Sequence, residues 1–385
     1  MHRPNKTSQH NLAIEKVSKV LIIDWLDKYG GAERVIAHFQ KIFVFPKVIT
    51  LANIMQKHEL AEIFPSEQHT QITETFVGKL GKRFRVFFFL FHFFANKIVV
   101  DKKYNFIFSS SHAIAKGVRK SCPKQLHISY FQARNFNYIW DEAPLYLGIF
   151  RWIGFPLWHL LRKIDIAHAQ RPDFIISNSN FVKNWVKEKY KRDSVVIYPP
   201  VKLDSFSLCT DKEDFYVMVG RMVPIKRFDI AIEAFRKNKK KIILIGDGEC
   251  RKSLEKSAPD NVIFKGFLER NEVNHYIQRA KGFIQIGVEG FGIASIEAQA
   301  CGTPILAFAD GGVLETVVEH KTGIFFKEQN AESLNQCIEQ FEKMQFNYED
   351  IRQNALQFSE EVFEQKLVQF VNEKWYEHTK TWNKT

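Results

Sequence analysis

The sequence predicts an α/β protein of two doubly wound, parallel-sheet domains, and three observations predict it. Compact apolar runs ending in small or polar residues recur along the chain: VLIID (20–24), FIFSSS (106–111), FIISNS (174–179), FYVMVG (215–220), KIILIG (241–246), FIQIGV (283–288) and PILAF (304–308). Such runs read as buried strands, and amphipathic stretches such as Phe228 to Phe235 separate them in the alternation of βαβ units. The length, 385 residues, exceeds one ordinary core and suits two domains of roughly 150–200 residues each. Finally, the pattern restarts near residue 215, after VIYPPVKLDSF, where Pro199 and Pro200 stiffen a segment through which no helix continues. The expected divisions are 1–200, 201–365 and a last helix, 366–385, packing back on the first domain.

Composition narrows the class. Hydrophobic residues are 45% and charged residues 25%, which excludes a disordered or fibrous chain. The mean hydropathy of −0.24 excludes a polytopic membrane protein. Lys and Arg outnumber Asp and Glu by 55 to 43, so the net charge of +12 favours anionic partners. Cys122, Cys209, Cys250, Cys301 and Cys337 are scattered and form no CxxC pair, so neither a zinc site nor a disulfide framework is expected, and a reducing compartment is. The first sixteen residues are mostly polar and lack the apolar core of a signal peptide. Val86 to Ala95, the longest apolar stretch, is broken by His92 and is about half of what a spanning helix requires. The expectation is a cytoplasmic protein that is soluble or rests on the inner face of a membrane.

Three places carry chemistry. In VEGFGIASIEAQACGTPILAF (288–308), Glu289 follows a strand, Gly290 and Gly292 free the backbone, and a helix runs from Ile293 to Cys301, closed by Gly302. The N–H groups of Phe291, Gly292 and Ile293 at its mouth form an anion site, with Glu289 beside it and Glu297 a turn inside. Two carboxylates eight residues apart suit different parts of one elongated ligand; the alternative is a pair of ordinary helix charges. In VGRMVPIKRFDIAIEAF (219–235), a strand ends at Gly220, and Arg221 and Lys226 lie in the following loop. The C-terminal edge of a parallel strand is where α/β folds bind ligands, and a guanidinium fork beside an ammonium suits a diphosphate. Gly30 and Gly31, after the first strand, let the backbone approach a ligand at a helix start. GDGEC (246–250) is not a dinucleotide fingerprint, because Arg251 stands where the third glycine belongs.

Together these segments resemble the retaining family 4 glycosyltransferases of GT-B fold (glycosyltransferase group 1), from about residue 20 to 330. Glu289 and Glu297 match that family's E-x7-E motif, and Arg221 and Lys226 its basic pair, which neutralises the donor diphosphate. The resemblance implies that Glu289 and the amides of Phe291, Gly292 and Ile293 hold the donor sugar. It implies that Glu297 binds the ribose, Gly266 in VIFKGFL (262–268) lies at the base, and Gly30 and Gly31 close on the phosphates. SSSHAIAKGV (109–118), DEAPLY and VIYPPV are similar to bacterial O-antigen and polysaccharide mannosyltransferases, which implies mannose from GDP-mannose passed to a lipid-linked glycan. Gln132 stands where many relatives carry a reaction-centre histidine; glutamine moves no proton but bonds a sugar. His112 and Asp141 are further reaction-centre candidates. No DxD pair occurs, so no metal and no cofactor are expected and the basic pair replaces Mg²⁺. Rival readings are a sugar-nucleotide epimerase of the same fold and a catalytically silent glycan- or lipid-binding partner.

The surplus positive charge has a location. Phe76 to Lys103 carries Lys79, Lys82, Arg83, Arg85, Lys97, Lys102 and Lys103 against one acid, Asp101, interleaved with seven further phenylalanines from Phe84 to Phe94. Leu147 to Lys163 adds Arg151, Trp152, Phe155, Trp158, Arg162 and Lys163. Aromatics beside cations suit an anionic membrane surface; the alternative is that the phenylalanines are core. No nucleic-acid module is present.

Overall fold

The computed structural model describes residues 12–144 and 155–382. Arg151 and Trp152 lie outside the described residues, as does the side chain of Phe155. The chain forms two compact units. One comprises Met1–Asn178, Lys183–Pro200 and Glu361–Thr385, the other Ser179–Val182 and Val201–Glu360.

The first unit is built on a parallel sheet of β1 (Lys19–Ile23), β2 (Lys47–Thr50), β3 (Gln71–Glu74), β4 (Phe106–Ser111), β5 (Leu126–Phe131), β6 (Phe174–Ser177) and β7 (Val195–Val196). The strands lie in the order β3-β2-β1-β4-β5-β6-β7. Every residue of β1, β4 and β5 is buried, as expected of central strands covered on both faces. The helix Gly31–Phe43 turns Val35, Ile36, Phe39 and Phe43 inward, and Phe39 meets Phe108 at 4.8 Å between ring centroids. The last helix, Glu360–Trp382, sends Phe363, Leu367, Phe370, Val371 and Trp375 into this same core. Phe76–Leu90 winds as tight 3-10 turns interrupted at Gly81 and Phe87, and only Phe91–Lys97 is α-helical. Among the described residues no helix is long and apolar enough to cross a membrane.

The second unit repeats the plan with β8 (Glu213–Val219), β9 (Ile242–Ile245), β10 (Val262–Gly266), β11 (Ala280–Gln285), β12 (Ile305–Phe308) and β13 (Gly323–Phe326). Its order is β10-β9-β8-β11-β12-β13, again all parallel. The helices Phe228–Asn238 and Ala331–Phe341 pack on it through Phe228, Ala231, Phe235, Leu334 and Ile338. In both sheets the chain moves outward from the first strand, then jumps back to place the fourth beside it. That reversal leaves a crevice at the C-terminal strand ends, between β1 and β4 in one unit and between β8 and β11 in the other.

Candidate functional site

The chemistry-bearing segments leave the sheets at these two switch points. In the second unit, β8 runs into Gly220, Arg221 and a single 3-10 turn, Pro224–Lys226, while β11 runs into the loop that opens the helix Ile293–Ala300. The two loops touch backbone to backbone. A Cβ on Gly287 would lie 2.6 Å from the Ile225 carbonyl oxygen and 2.9 Å from Lys226 Cα. Arg227 donates to Gln329 at 3.0 Å, and Gln329 donates to the Ile286 carbonyl, also at 3.0 Å, bracing both loops from behind.

This approach brings Lys226 Nζ within 2.5 Å of Glu289 Oε1. Arg221 is exposed, and its guanidinium pairs with no carboxylate among the described residues. Gly292 caps the Ile293–Ala300 helix at φ +90°, a left-handed conformation suited to glycine, and no side chain caps the helix start. Its first-turn N–H groups are therefore not spent on a capping side chain, and the positive end of the helix dipole opens toward the loop. The helix is one residue shorter than the sequence predicts: Cys301 is its C-cap, and Gly302 follows at φ +73°.

Glu297 is buried, and Arg270 Nη2 donates to its Oε1 at 3.2 Å. The guanidinium of Arg270 in turn sits over the Phe206 ring at 5.4 Å. Gly266 ends β10 at φ +69°, with the Arg251 guanidinium beneath it and Phe267 exposed next to it. Gln285 is buried, and its Nε2 has no partner among the described residues. Its amide lies 3.1 Å from where a Cβ of Gly292 would stand. Sequence reasoning overlooked both Arg270 and Gln285. A lone glutamine inside FIQIGV carries the only sequence trace of the latter, as a polar residue in a buried run.

In the first unit, Gly30 caps the helix Gly31–Phe43 and no side chain caps it. Gly30 is in extended backbone (φ −151°) that any residue adopts, so its glycine is not demanded by conformation, and a Cβ there would meet only the Glu33 side chain, at 3.2 Å. Asp24, just beyond β1, is fully buried and was given no role by the sequence. Its two carboxylate oxygens accept the backbone N–H groups of His112 (2.5 Å), Ala113 (2.9 Å), Ile114 (2.6 Å) and Ala115 (2.6 Å). It also lies 3.1 Å from His112 Nδ1, while Trp25 meets the His112 ring edge-on at 4.4 Å.

Gln132 stands beside His112. Ser111 of β4 pairs with Phe131 of β5, so the next residue of each strand emerges at the same edge. Gln132 Nε2 donates to Ser110 Oγ at 3.0 Å. Asp141 is held differently: Trp185 Nε1 donates to it at 2.7 Å, and Arg134 and Lys189 flank it at 3.4 and 3.5 Å. Those bonds make it an anchor of the 134–142 loop.

A buried polar network props the His112 loop. Lys116 Nζ pairs with Asp165 at 2.7 Å, and Tyr190 Oη and Trp140 Nε1 donate to Asp165 Oδ2 at 2.6 and 2.9 Å. His168 packs where a Cβ on Gly117 would collide, and His92 Nδ1 lies 3.4 Å from His168 Nδ1. Burial, with nearby cations, holds His92 down at about 3 and His168 at about 2, so both rings are neutral. Burial likewise holds His127, bonded to Ser109 Oγ at 2.8 Å, at about 3.

Known proteins are similar to this chain in sequence and in fold. Residues 202–358 match the family model of the glycosyl transferases group 1. An uncharacterized glycosyltransferase of Methanocaldococcus jannaschii is 29% identical over 205 residues, which is 51% of this chain and 57% of that protein. A GDP-mannose-dependent monoacylated alpha-(1-6)-phosphatidylinositol monomannoside mannosyltransferase of Corynebacterium glutamicum is 30% identical over 34% of this chain and 38% of its own. The matched part thus spans about half the length of the first relative and about two fifths of the second. Among solved structures, HepE of Anabaena in complex with UDP and glucose has a TM-score of 0.64 at 16% identity, covering 92% of this chain and 99% of its own. Sucrose-phosphate synthase of Thermosynechococcus elongatus reaches 0.70 at 16% identity, over 93% and 99%. Residues 202–358 thus match the glycosyl transferases group 1 model, and the two Rossmann-like sheets have the GT-B fold of these solved structures.

Proposed function

We propose that the protein is a retaining, metal-independent hexosyltransferase that moves mannose from GDP-mannose to a lipid-linked glycan in cell-surface polysaccharide (lipopolysaccharide, O-antigen) synthesis. The observation that carries the sugar-nucleotide reading is the convergence at the second switch point. Arg221, the Lys226–Glu289 pair and the Ile293–Ala300 helix, with no side chain capping its start and with the braced Glu297 on it, lie at one sheet edge. The choice of GDP-mannose is supported by the GDP-mannose-dependent mannosyltransferase relatives, which match 34% and 28% of this chain.

Transfer breaks the bond between the anomeric carbon and the diphosphate oxygen and forms one to the acceptor oxygen, whose proton passes to the departing diphosphate. Negative charge grows on the diphosphate, where Arg221, Lys226 and the amides of Phe291, Gly292 and Ile293 offset it. Lys226 is held in place by Glu289, so little reorganisation accompanies the step. Gln285 Nε2 is a further donor at the same helix mouth, and Glu289 takes the sugar hydroxyls. Glu297, oriented by Arg270, accepts from the ribose hydroxyls, and Gly266 with Phe267 lies at the base. In the first unit Gly30, Gly31, His112 and Gln132 lie by that unit's own switch point and are its candidates for substrate contact, with Asp141 fixing the neighbouring loop.

The test is GDP release from GDP-mannose with a lipid-linked oligosaccharide acceptor, with the anomer of the product read by NMR. Release that depends on acceptor, with retained configuration, is expected. An epimerised sugar nucleotide formed without acceptor, or no turnover of any donor with any acceptor, contradicts the proposal.

A further inference from the structure

The Phe-rich segment of the first unit divides into an inner and an outer set. Val77, Phe84, Phe91 and Ala95 are buried, with Phe84 and Phe91 each 5.7 Å from Trp25 between ring centroids. Their neighbours Phe76, Val86, Phe87, Phe89, Leu90 and Phe93 are exposed, from 36% to 69% of their surface. Core packing accounts for the first set and leaves the second in water. Phe88 stacks on Trp158 at 6.1 Å, which brings the helix Phe155–Ala169, with exposed Leu157 and Leu160, against the same segment. An exposed apolar cluster of this kind marks an interaction surface.

Its charge identifies the partner. Lys79, Lys82, Arg83 and Lys97 are exposed and make no ion pair among the described residues, and no acid lies between Glu74 and Asp101. Lys79 Nζ sits 5.7 Å from the Phe76 ring and Lys97 Nζ 4.4 Å from the Phe93 ring, so cations and aromatics share the surface. We infer that this face docks on an anionic lipid bilayer, the aromatic and aliphatic side chains entering the interface and the four cations meeting lipid phosphates. Scattered large side chains on tight 3-10 turns suit a fluid interface, where each finds its own depth. The inference stands on this surface and does not depend on the sugar-transfer reading.

The experiment is co-sedimentation of the full chain with phosphatidylcholine vesicles, with and without roughly 30% phosphatidylglycerol. Wild type should pellet with the anionic vesicles and stay in solution with the neutral ones. The triple variant Lys79→Glu, Lys82→Glu, Arg83→Glu should partition roughly a hundredfold less, about fivefold for each cation removed. Phe87→Ser, Phe89→Ser, Phe93→Ser should also lose binding, and both variants should keep the wild-type thermal response to GDP, which reads the donor site separately. Hydrogen exchange of the wild type on anionic vesicles should show protection at residues 76–97. Wild type that stays in solution, variants that bind as tightly as wild type, or protection only elsewhere would overturn the proposal. A wild type that binds vesicles but responds to no nucleotide would sink the sugar-transfer reading and leave this one standing.

Discussion

Single side chains at the second switch point are held by partners far away in sequence. Lys226 is held by Glu289 and Glu297 by Arg270, and each cation or carboxylate has its direction set before any ligand arrives. Arg221→Ala and Lys226→Ala should each lower the transfer rate by on the order of 10²–10³, with an unchanged melting temperature in the absence of ligand. Steady-state rates beside thermal unfolding check this, and a loss of stability matching the loss of rate would point to a structural role. Asp24 makes the opposite prediction. Removing a buried carboxylate that serves four N–H groups should cost about 3–5 kcal/mol, so Asp24→Ala should unfold at much lower denaturant. Equilibrium denaturation measures it, and a cost under about 1 kcal/mol would contradict the account. Arg221, Lys226, Glu289 and Glu297 were legible because two short motifs carry them. Asp24 and Arg270 were not, because their meaning lies in contacts 88 and 27 residues away.

Elements differ in legibility for a related reason. The runs at 106–111, 242–245 and 305–308 are strands buried along most of their length, and continuous apolar sequence reports that directly. β3, QITE, is an edge strand with three of its four residues exposed, so it carries no apolar pattern to find. β13, GIFF, is short and lies between glycine and charged residues, where a turn is the simpler reading. The elements of the first unit also share an acid sensitivity. His92, His127 and His168 have folded-state values of about 3, 3 and 2, below the ordinary 6.5. Unfolding therefore takes up protons between those values, and stability present above pH 6.5 is lost as the pH falls. Each ring contributes up to about 1.4 kcal/mol per pH unit. Ordinary carboxylates titrate below pH 5, and burial pushes the Glu142 carboxyl up, which acts in the opposite sense, so a melting temperature that drops steeply between pH 6.5 and 5 reports the histidines. A flat profile there would contradict their burial as neutral rings.

At the scale of the whole molecule, two sheets with the same strand order each place their loops at a switch point, and the chain ends by returning its last helix to the first unit's core. The restart of the strand pattern made the duplication readable. The return was readable only as an expectation, because Phe363, Leu367, Phe370, Val371 and Trp375 identify a buried face without naming what covers it. On the proposed function, the second switch point is a nucleotide-sugar site that takes GDP. The direct measurement is thermal stabilisation by GDP, UDP, dTDP and ADP, on wild type and on Glu297→Ala. GDP alone should stabilise the wild type, by about 2.7 kcal/mol at a hundred times its dissociation constant, and Glu297→Ala should lose that response. Stabilisation by none of the four, or an undiminished GDP response in Glu297→Ala, would contradict it.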